Sequence, residues 1–278
     1  MPPTSERHSS NPADFAIYVC PRCKGSLAVT DGALHCPVCD RTYFVRREIP
    51  DFIIGDLTQS ANAILRKVKG IDLLARIYET KLWYPVVLNL VAGWGRISLP
   101  QLTGLIREMV ASVTGLVLDV ACGPGTFGRR IATSSRKVYG IDISTGMLER
   151  GTAYAQREQV TNMRFARAQV EALPFGHAIF DAAICSGSLH LFQDTVLALR
   201  EIGRTLKPGA RLAIVTFTAG NAGFLRFAPV LNLVRKKGLR TFEIPELQGI
   251  LIEAGFNNYR PTTYGSVLIC FAQKSDSQ

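Results

Sequence analysis

The sequence predicts an α/β protein: a doubly wound, largely parallel sheet with a small turn-rich module ahead of it. Two observations carry that expectation. Apolar strand-like runs alternate with helix-spaced runs through residues 115–273, the pattern of parallel strands joined by crossover helices. Before them stand two Cys-x2-Cys pairs, Cys20/Cys23 and Cys36/Cys39. The 278 residues therefore divide into a module at 15–54, a mainly helical connecting or cap segment at 55–113, and the alternating part at 114–274. That is room for one small domain and one of ordinary size. The polar ends, 1–13 and from Gln273 onward, read as frayed.

Each element of the alternating part has its own signal. Gly115 to Val120 is an apolar strand, followed by a Gly-rich turn and a helix over 126–134. Lys137 to Ile141 is the second strand. Ser144 is a suitable N-cap for a helix through Glu158 with an apolar seam at Met147, Leu148, Gly151 and Tyr154. Met163–Ala166 and Ala178–Cys185 are the third and fourth strands. Helical spacing puts Val196, Leu199, Ile202 and Leu206 on one face of 195–206, which Lys207-Pro208-Gly209 stops. Arg211–Phe217 is the fifth strand. Pro245 and Gly255 bracket another helix, and strands at 257–263 and 266–272 complete a seven-stranded Rossmann-like sheet with an antiparallel strand at its end.

Composition narrows the partners. A net charge of +10 favours an anionic partner such as nucleic acid, a membrane surface or an acidic substrate. Solubility alone explains it nearly as well, because the basic residues are scattered. The short clusters are Arg66-Lys67-Val68-Lys69, Arg136-Lys137 and Arg235-Lys236-Lys237. No apolar run is long enough for a transmembrane helix. The charge-free stretch Leu82–Gly95, broken by Pro85 and Gly93, suits peripheral membrane contact or the covering of a pocket. Seven cysteines without a secretory leader fit a reducing, cytoplasmic setting.

The paired knuckles point to metal. Each Cys-x2-Cys lets one tight loop aim two thiolates at one ion, and four thiolates suit tetrahedral Zn²⁺. Cys20, Cys23, Cys36 and Cys39 fill the coordination shell, so the zinc is expected to be structural. The module is too short to hold together on its own core without it. A four-thiolate iron centre is the minor alternative.

The candidate cofactor site begins where the first strand ends, at Asp119-Val-Ala-Cys-Gly123-Pro-Gly125-Thr-Phe-Gly128. A glycine turn between an apolar strand and a helix lets the backbone approach a ligand closely. The second strand ends in Asp142, where an acidic residue can accept both ribose hydroxyls. The acid precedes the glycines in an Asp-x3-Gly-x-Gly spacing, which separates this turn from the dinucleotide fingerprint.

These motifs resemble the class I S-adenosylmethionine (SAM)-dependent methyltransferases of the type that includes ubiquinone and menaquinone methylases. The resemblance covers residues 116–217 closely. It rests on LDVACGPGTF (118–127), GIDIS-x-x-ML (140–148), EALPF (171–175), FDAAICSGSLHLF (180–192) and EIGRTLKPGARLAIVTF (201–217). It implies SAM as cofactor, with Asp119, Gly123 and Gly125 on the methionine and ribose side and Asp142 on the ribose. Ser144 and Met147 flank the adenine, and Ser186 lies at the methionine end or substrate mouth. Ala121, Ile143, Gln169 and Val170 complete the cofactor-binding set. Gln169 stands where the family usually has Asp for the adenine amino group; its side-chain carbonyl still accepts that bond but offers no charge. Cys122 and Cys185 read as small apolar packing rather than nucleophiles.

Methyl transfer from a sulfonium depends mostly on positioning. A base is needed only if the acceptor must lose a proton, and His190, just past the fourth strand, is the candidate. Tyr78, Trp83, Tyr84 and Trp94, with the apolar stretch 217–233, suggest a pocket for a small hydrophobic acceptor. A ribbon ahead of such a domain resembles a cyanobacterial and plastid group of ribbon-bearing methyltransferases, through Tyr78-Glu79, Trp83-Tyr84, Ile49-Pro50-Asp51-Phe52 and Thr216-Phe217. It also resembles, less, the bacterial 23S rRNA guanine-N1 methyltransferases. The positive charge favours RNA, but no basic stripe interleaved with aromatics accompanies it. A SAM-binding scaffold without catalysis is the remaining alternative.

Overall fold

The computed structural model describes residues 15–30, 32–53, 80, 82–110, 112–133, 136–218 and 240–276. Residues 54–79, with Tyr78 and the basic cluster at 66–69, lie outside the described residues, as do Asp31 and residues 219–239 with Arg235-Lys236-Lys237.

The N-terminal module is a four-stranded antiparallel sheet in the order β1-β2-β3-β4: β1 (Ala28–Thr30), β2 (Ala33–Cys36), β3 (Arg41–Arg46) and β4 (Ile49–Pro50). Two helices follow: α1 (Trp83–Ala92), and α2 (Leu99–Met109), which starts from a Ser98/Gln101 capping box. No helix among the described residues is long and apolar enough to cross a membrane.

The alternating part forms β5 (Gly115–Val120), α3 (Thr126–Ile131), β6 (Arg136–Asp142), α4 (Thr145–Arg157), β7 (Met163–Arg167), β8 (Phe180–Ser186), α5 (Thr195–Thr205), β9 (Leu206–Phe217), α6 (Ile244–Glu253), β10 (Phe256–Tyr264) and β11 (Val267–Lys274). They make a seven-stranded sheet in the order β10-β11-β9-β8-β5-β6-β7. Strands β9, β8, β5, β6 and β7 run parallel, while β11 is antiparallel to both of its neighbours. The winding reverses at β5, with β6 and β7 on one side and β8 and β9 on the other. Such a switch point opens a crevice outside the carboxyl ends of the strands.

Strand pleating sorts the core into two layers. Val117, Val138, Ala182, Ile184, Ala213 and Val215 face a cluster with residues of α1, α2, α3 and α4. Leu118, Val120, Tyr139, Ile141, Ala183 and Ile214 face the opposite cluster, with α5, α6 and the N-terminal module. The connection from β7 to β8 carries one 3-10 turn, Val170–Ala172, where a crossover helix is usual. Part of the space beside it is filled by Tyr18, whose ring lies 5.4 Å from that of Phe175 and 5.1 Å from that of Phe52.

Three expectations are corrected. Lys207-Pro208-Gly209 do not separate α5 from β9; the strand begins at Leu206 and contains them. Pro208 has no amide to give the ladder, so residues 207–210 bulge opposite Asp181 between the pairs Phe180–Leu206 and Ala182–Arg211. The buried seam of α4 is Met147, Leu148, Gly151 and Ala155. Tyr154 leaves it and is stacked between the guanidiniums of Arg129 and Arg157, 5.0 and 4.9 Å from its ring centre. Helix α3 ends at Ile131, three residues earlier than its pattern suggested.

Candidate cofactor and metal sites

The turn after β5 is shaped by backbone bonds. Cys122 donates its amide to Ile141 O at 2.9 Å and Gly125 donates to Cys122 O at 2.9 Å. Ala121 is left-handed, with φ 49, a conformation that costs a non-glycine residue about 1 kcal/mol or more. Gly123, at φ +55, has open space where a Cβ would stand, so it presents bare backbone to the crevice. At Gly128, by contrast, an added Cβ would come within 2.7 Å of Asp119 Oδ2.

That contact explains Asp119. It is 2% exposed, and its carboxylate accepts the Gly128 amide at 3.0 Å. Burial raises its pKa to about 8; the Gly128 bond opposes the rise and the charge of Asp142 adds to it. Asp119 thus braces the turn from beneath.

Asp142 is arranged differently. Oδ2 accepts the Gly123 amide at 2.8 Å and Oδ1 accepts the Ser144 amide at 2.8 Å. Burial raises its pKa, against the lowering effect of those bonds. Each carboxylate oxygen keeps a further acceptor position, the requirement for gripping two adjacent hydroxyls. Ser144 also caps α4, its Oγ accepting the Met147 amide at 3.2 Å. Met147 is buried, and Ile143 and Gln169 are half-buried. Ala168 donates to Asp142 O at 3.1 Å, which brings Gln169 and the buried Val170 beside the end of β6. Ser186 ends β8, and the register pairs its predecessor Cys185 with Val120 of β5.

His190 sits in a 3-10 turn, Leu189–Leu191, past β8. It is 7% exposed, its ring centre lies 4.8 Å from that of Phe217, and Nδ1 has no hydrogen-bond partner among the described residues. Burial pushes its pKa down to about 4, so the imidazole is neutral near pH 7. Burial also pushes the Cys122 thiol well above its ordinary value and the Cys185 thiol to about 12, which keeps both protonated and non-nucleophilic.

Two features were not legible in the sequence. A cleft of about 570 Å³ lies between α1, the start of α2 and the far ends of α3 and α4, lined by Tyr84, Leu88, Ile97, Arg130 and Arg157 among others. These residues are far apart in the chain and share no motif. Tyr84 also packs edge-on to Phe127 at 6.3 Å, while Trp94 is 90% exposed.

The thiols of Cys20, Cys23, Cys36 and Cys39 converge, all four sulfurs within 4.8 Å of one another. Cys20–Cys39 and Cys23–Cys36 sulfurs are 3.5 Å apart. Zn–S bonds of about 2.3 Å put tetrahedral sulfurs roughly 3.8 Å apart, so the cluster fits one zinc ion. Tyr43 OH, 3.1 Å from Cys20 Sγ, is an outer partner that the spacing of cysteines did not reveal.

Residues 117–209 match the family model described as "Methyltransferase domain", and residues 16–48 match that of "Trm112p-like protein". An uncharacterized methyltransferase of Bacillus subtilis, YcgJ, is 33% identical over 43% of this chain and 47% of its own length. Its crystal structure superposes with a TM-score of 0.53 at 20% identity, over 62% of this chain and 97% of that one. A demethylmenaquinone methyltransferase of Lactococcus lactis is 30% identical over 60% of this chain and 77% of its own length. An uncharacterized chloroplastic methyltransferase of Arabidopsis thaliana is 27% identical over 58% of this chain and 47% of its own length. The chain thus spans about half the length of the Bacillus and Arabidopsis relatives. With these similarities and its strand order, the chain belongs to the methyltransferase-domain family of class I SAM-dependent enzymes, and it carries a Trm112p-like ribbon with a four-cysteine cluster.

Proposed function

We propose that this protein transfers a methyl group from SAM to a small hydrophobic acceptor, at the crevice outside the carboxyl ends of β5 and β8. The observation that carries the reading is His190: a neutral, buried imidazole against Phe217, with Nδ1 unbonded among the described residues. A polar acceptor set against an aromatic ring suits an apolar molecule with a single ionisable group. The similarity to a demethylmenaquinone methyltransferase supports the same class.

Bound SAM supplies a methyl already activated on a cationic sulfonium. The chain's own work is then positioning. Asp142 grips the ribose hydroxyls. Gln169 accepts from the adenine amino group, and Ile143, Met147 and Val170 pack against the ring. Ala121, Gly123, Gly125 and Ser186 line the methionine side. Asp119 acts through the turn, which it braces by accepting the Gly128 amide. His190 Nδ1 accepts the proton of an acceptor hydroxyl or acidic carbon. In this reading residues 15–54 form the ribbon, 55–113 the connecting and cap segment, and 114–274 the SAM-binding part. The free cysteines fit the reducing conditions of the cytoplasm.

The test is incubation with methyl-labelled SAM and two acceptor pools, a lipophilic cell extract and total RNA. Label in the lipophilic pool supports the proposal. Label in RNA replaces it with an RNA methyltransferase that uses the +10 charge as its grip. SAM binding with label in neither pool favours a scaffold.

A further inference from the structure

We infer that the ribbon clamps the adenine-side loop of the cofactor site, so that SAM affinity depends on the ribbon's integrity. The inference rests on the SAM site proposed above. The loop from Arg167 to Phe175 leaves β7 and carries Gln169 and Val170. It has little structure of its own: a single 3-10 turn, in which Ala172 donates to Gln169 O at 3.2 Å.

Both ends of the loop are held by the ribbon module. At its start, the Phe52 amide donates to Arg167 O at 2.7 Å, and Asp51 bridges to Arg167 in parallel. The Arg167 guanidinium donates Nη1 to Asp51 Oδ2 at 2.7 Å and Nε to Ile143 O at 2.9 Å. Arg167 therefore links the ribbon's exit to the residue after Asp142. At the loop's end, Lys24 Nζ donates to Leu173 O at 2.9 Å and to Glu201 Oε1 at 2.7 Å, while Glu201 accepts the Leu173 amide at 3.0 Å. The Val19 amide donates to Pro174 O at 3.0 Å, and Tyr18 bridges to Phe175.

The second anchor is set by the first cysteine knuckle. Lys24 follows Cys23 directly, is left-handed at φ 58, and donates its amide to Cys20 O at 2.8 Å. Whatever orders that knuckle also orders the lysine that holds Leu173. Zinc and SAM then favour the same arrangement of one loop, and such coupling is reciprocal: each tightens the other's binding by the same factor. Asp51, Arg167 and Lys24 are positioning residues; none is required to touch the cofactor.

The test uses the full-length, zinc-loaded protein and Asp51→Asn, with Lys24→Met as the second variant. Expected in each is a rise of about tenfold in the SAM Kd by calorimetry and in the SAM KM, with kcat at saturating SAM unchanged. Asp51→Glu should restore most of the affinity. In the wild type, SAM should slow zinc transfer to a chromogenic chelator by a similar factor. A purely structural role would lower Tm and leave the KM alone. SAM affinity within twofold of wild type in both variants, with zinc release indifferent to SAM, overturns the clamp while leaving the SAM site intact. A wild type that binds no SAM overturns both.

Discussion

Two of the ribbon's four strands are largely exposed, whereas the central strands of the sheet bury most of what they have. Strand β1 exposes all three of its residues and β3 buries one of six. Strand β5 buries four of six, and β8 five of seven. The ribbon's larger buried side chains, Tyr18, Leu34, Tyr43 and Phe52, belong to the same cluster as Tyr139, Phe175 and Phe180 of the sheet. The two regions are therefore stabilised differently. The sheet is supported by helices on both faces, while the ribbon depends on four thiolates and on docking beside a connection that has no helix to cover it. A module without its own core reports on the domain it docks to.

The comparison is broken most severely by removing the metal. Structural zinc is worth about 10–16 kcal/mol in small cysteine modules, so Cys36→Ser should unfold residues 15–52 and leave the sheet formed. Hydrogen exchange would show this as loss of protection confined to the ribbon and the loop at 167–175. Protection lost throughout the sheet would mean that the two regions fold as one. Phe52→Ala should cost about 3–5 kcal/mol in urea unfolding, because Phe52 is 1% exposed between Tyr18 and Tyr43; a cost under 1 kcal/mol would mean the docked face is dispensable.

Two smaller effects separate binding from chemistry on the sheet side. Asp142→Ala removes a charged acceptor of about 1.5–3 kcal/mol, so SAM affinity should fall roughly 10–150-fold by calorimetry with kcat less affected. His190→Ala should do the reverse, lowering kcat by about 100-fold while the SAM Kd stays within twofold. Equal effects on both quantities in either variant would contradict the assigned roles.

A separate effect concerns pH. Asp119 has a folded pKa of about 8, raised from 3.8. Between those values the native state holds a proton that the unfolded chain releases, so stability falls as pH rises through that window. Asp119→Asn, which can still accept the Gly128 amide, should flatten the decline of Tm between pH 5 and 8. An unchanged slope would assign the dependence to other groups.

The alternating elements were legible because each carries its own short-range signal, such as the Ser144 cap, the Gly123 turn or the Pro245 start. Their bounds failed where a neighbour overrode the local pattern. Pro208 and Gly209 read as a stop, yet pairing with β8 draws them into β9 as a bulge. Tyr154 has helical spacing for the core, yet it stands half-buried against two guanidiniums.

The sequence by itself determined the strand–helix alternation, the four thiolates and the order of the cofactor motifs, because periodicity, knuckle spacing and turn chemistry act over a few residues. The tertiary structure alone decided that Asp119 lies under the turn, that His190 is desolvated against Phe217, and that the ribbon holds both ends of the loop after β7. Those outcomes depend on groups brought together from distant parts of the chain, such as Lys24 with Leu173 and Asp51 with Arg167. Burial and electrostatic environment are properties of such long-range packing, and no local pattern encodes them.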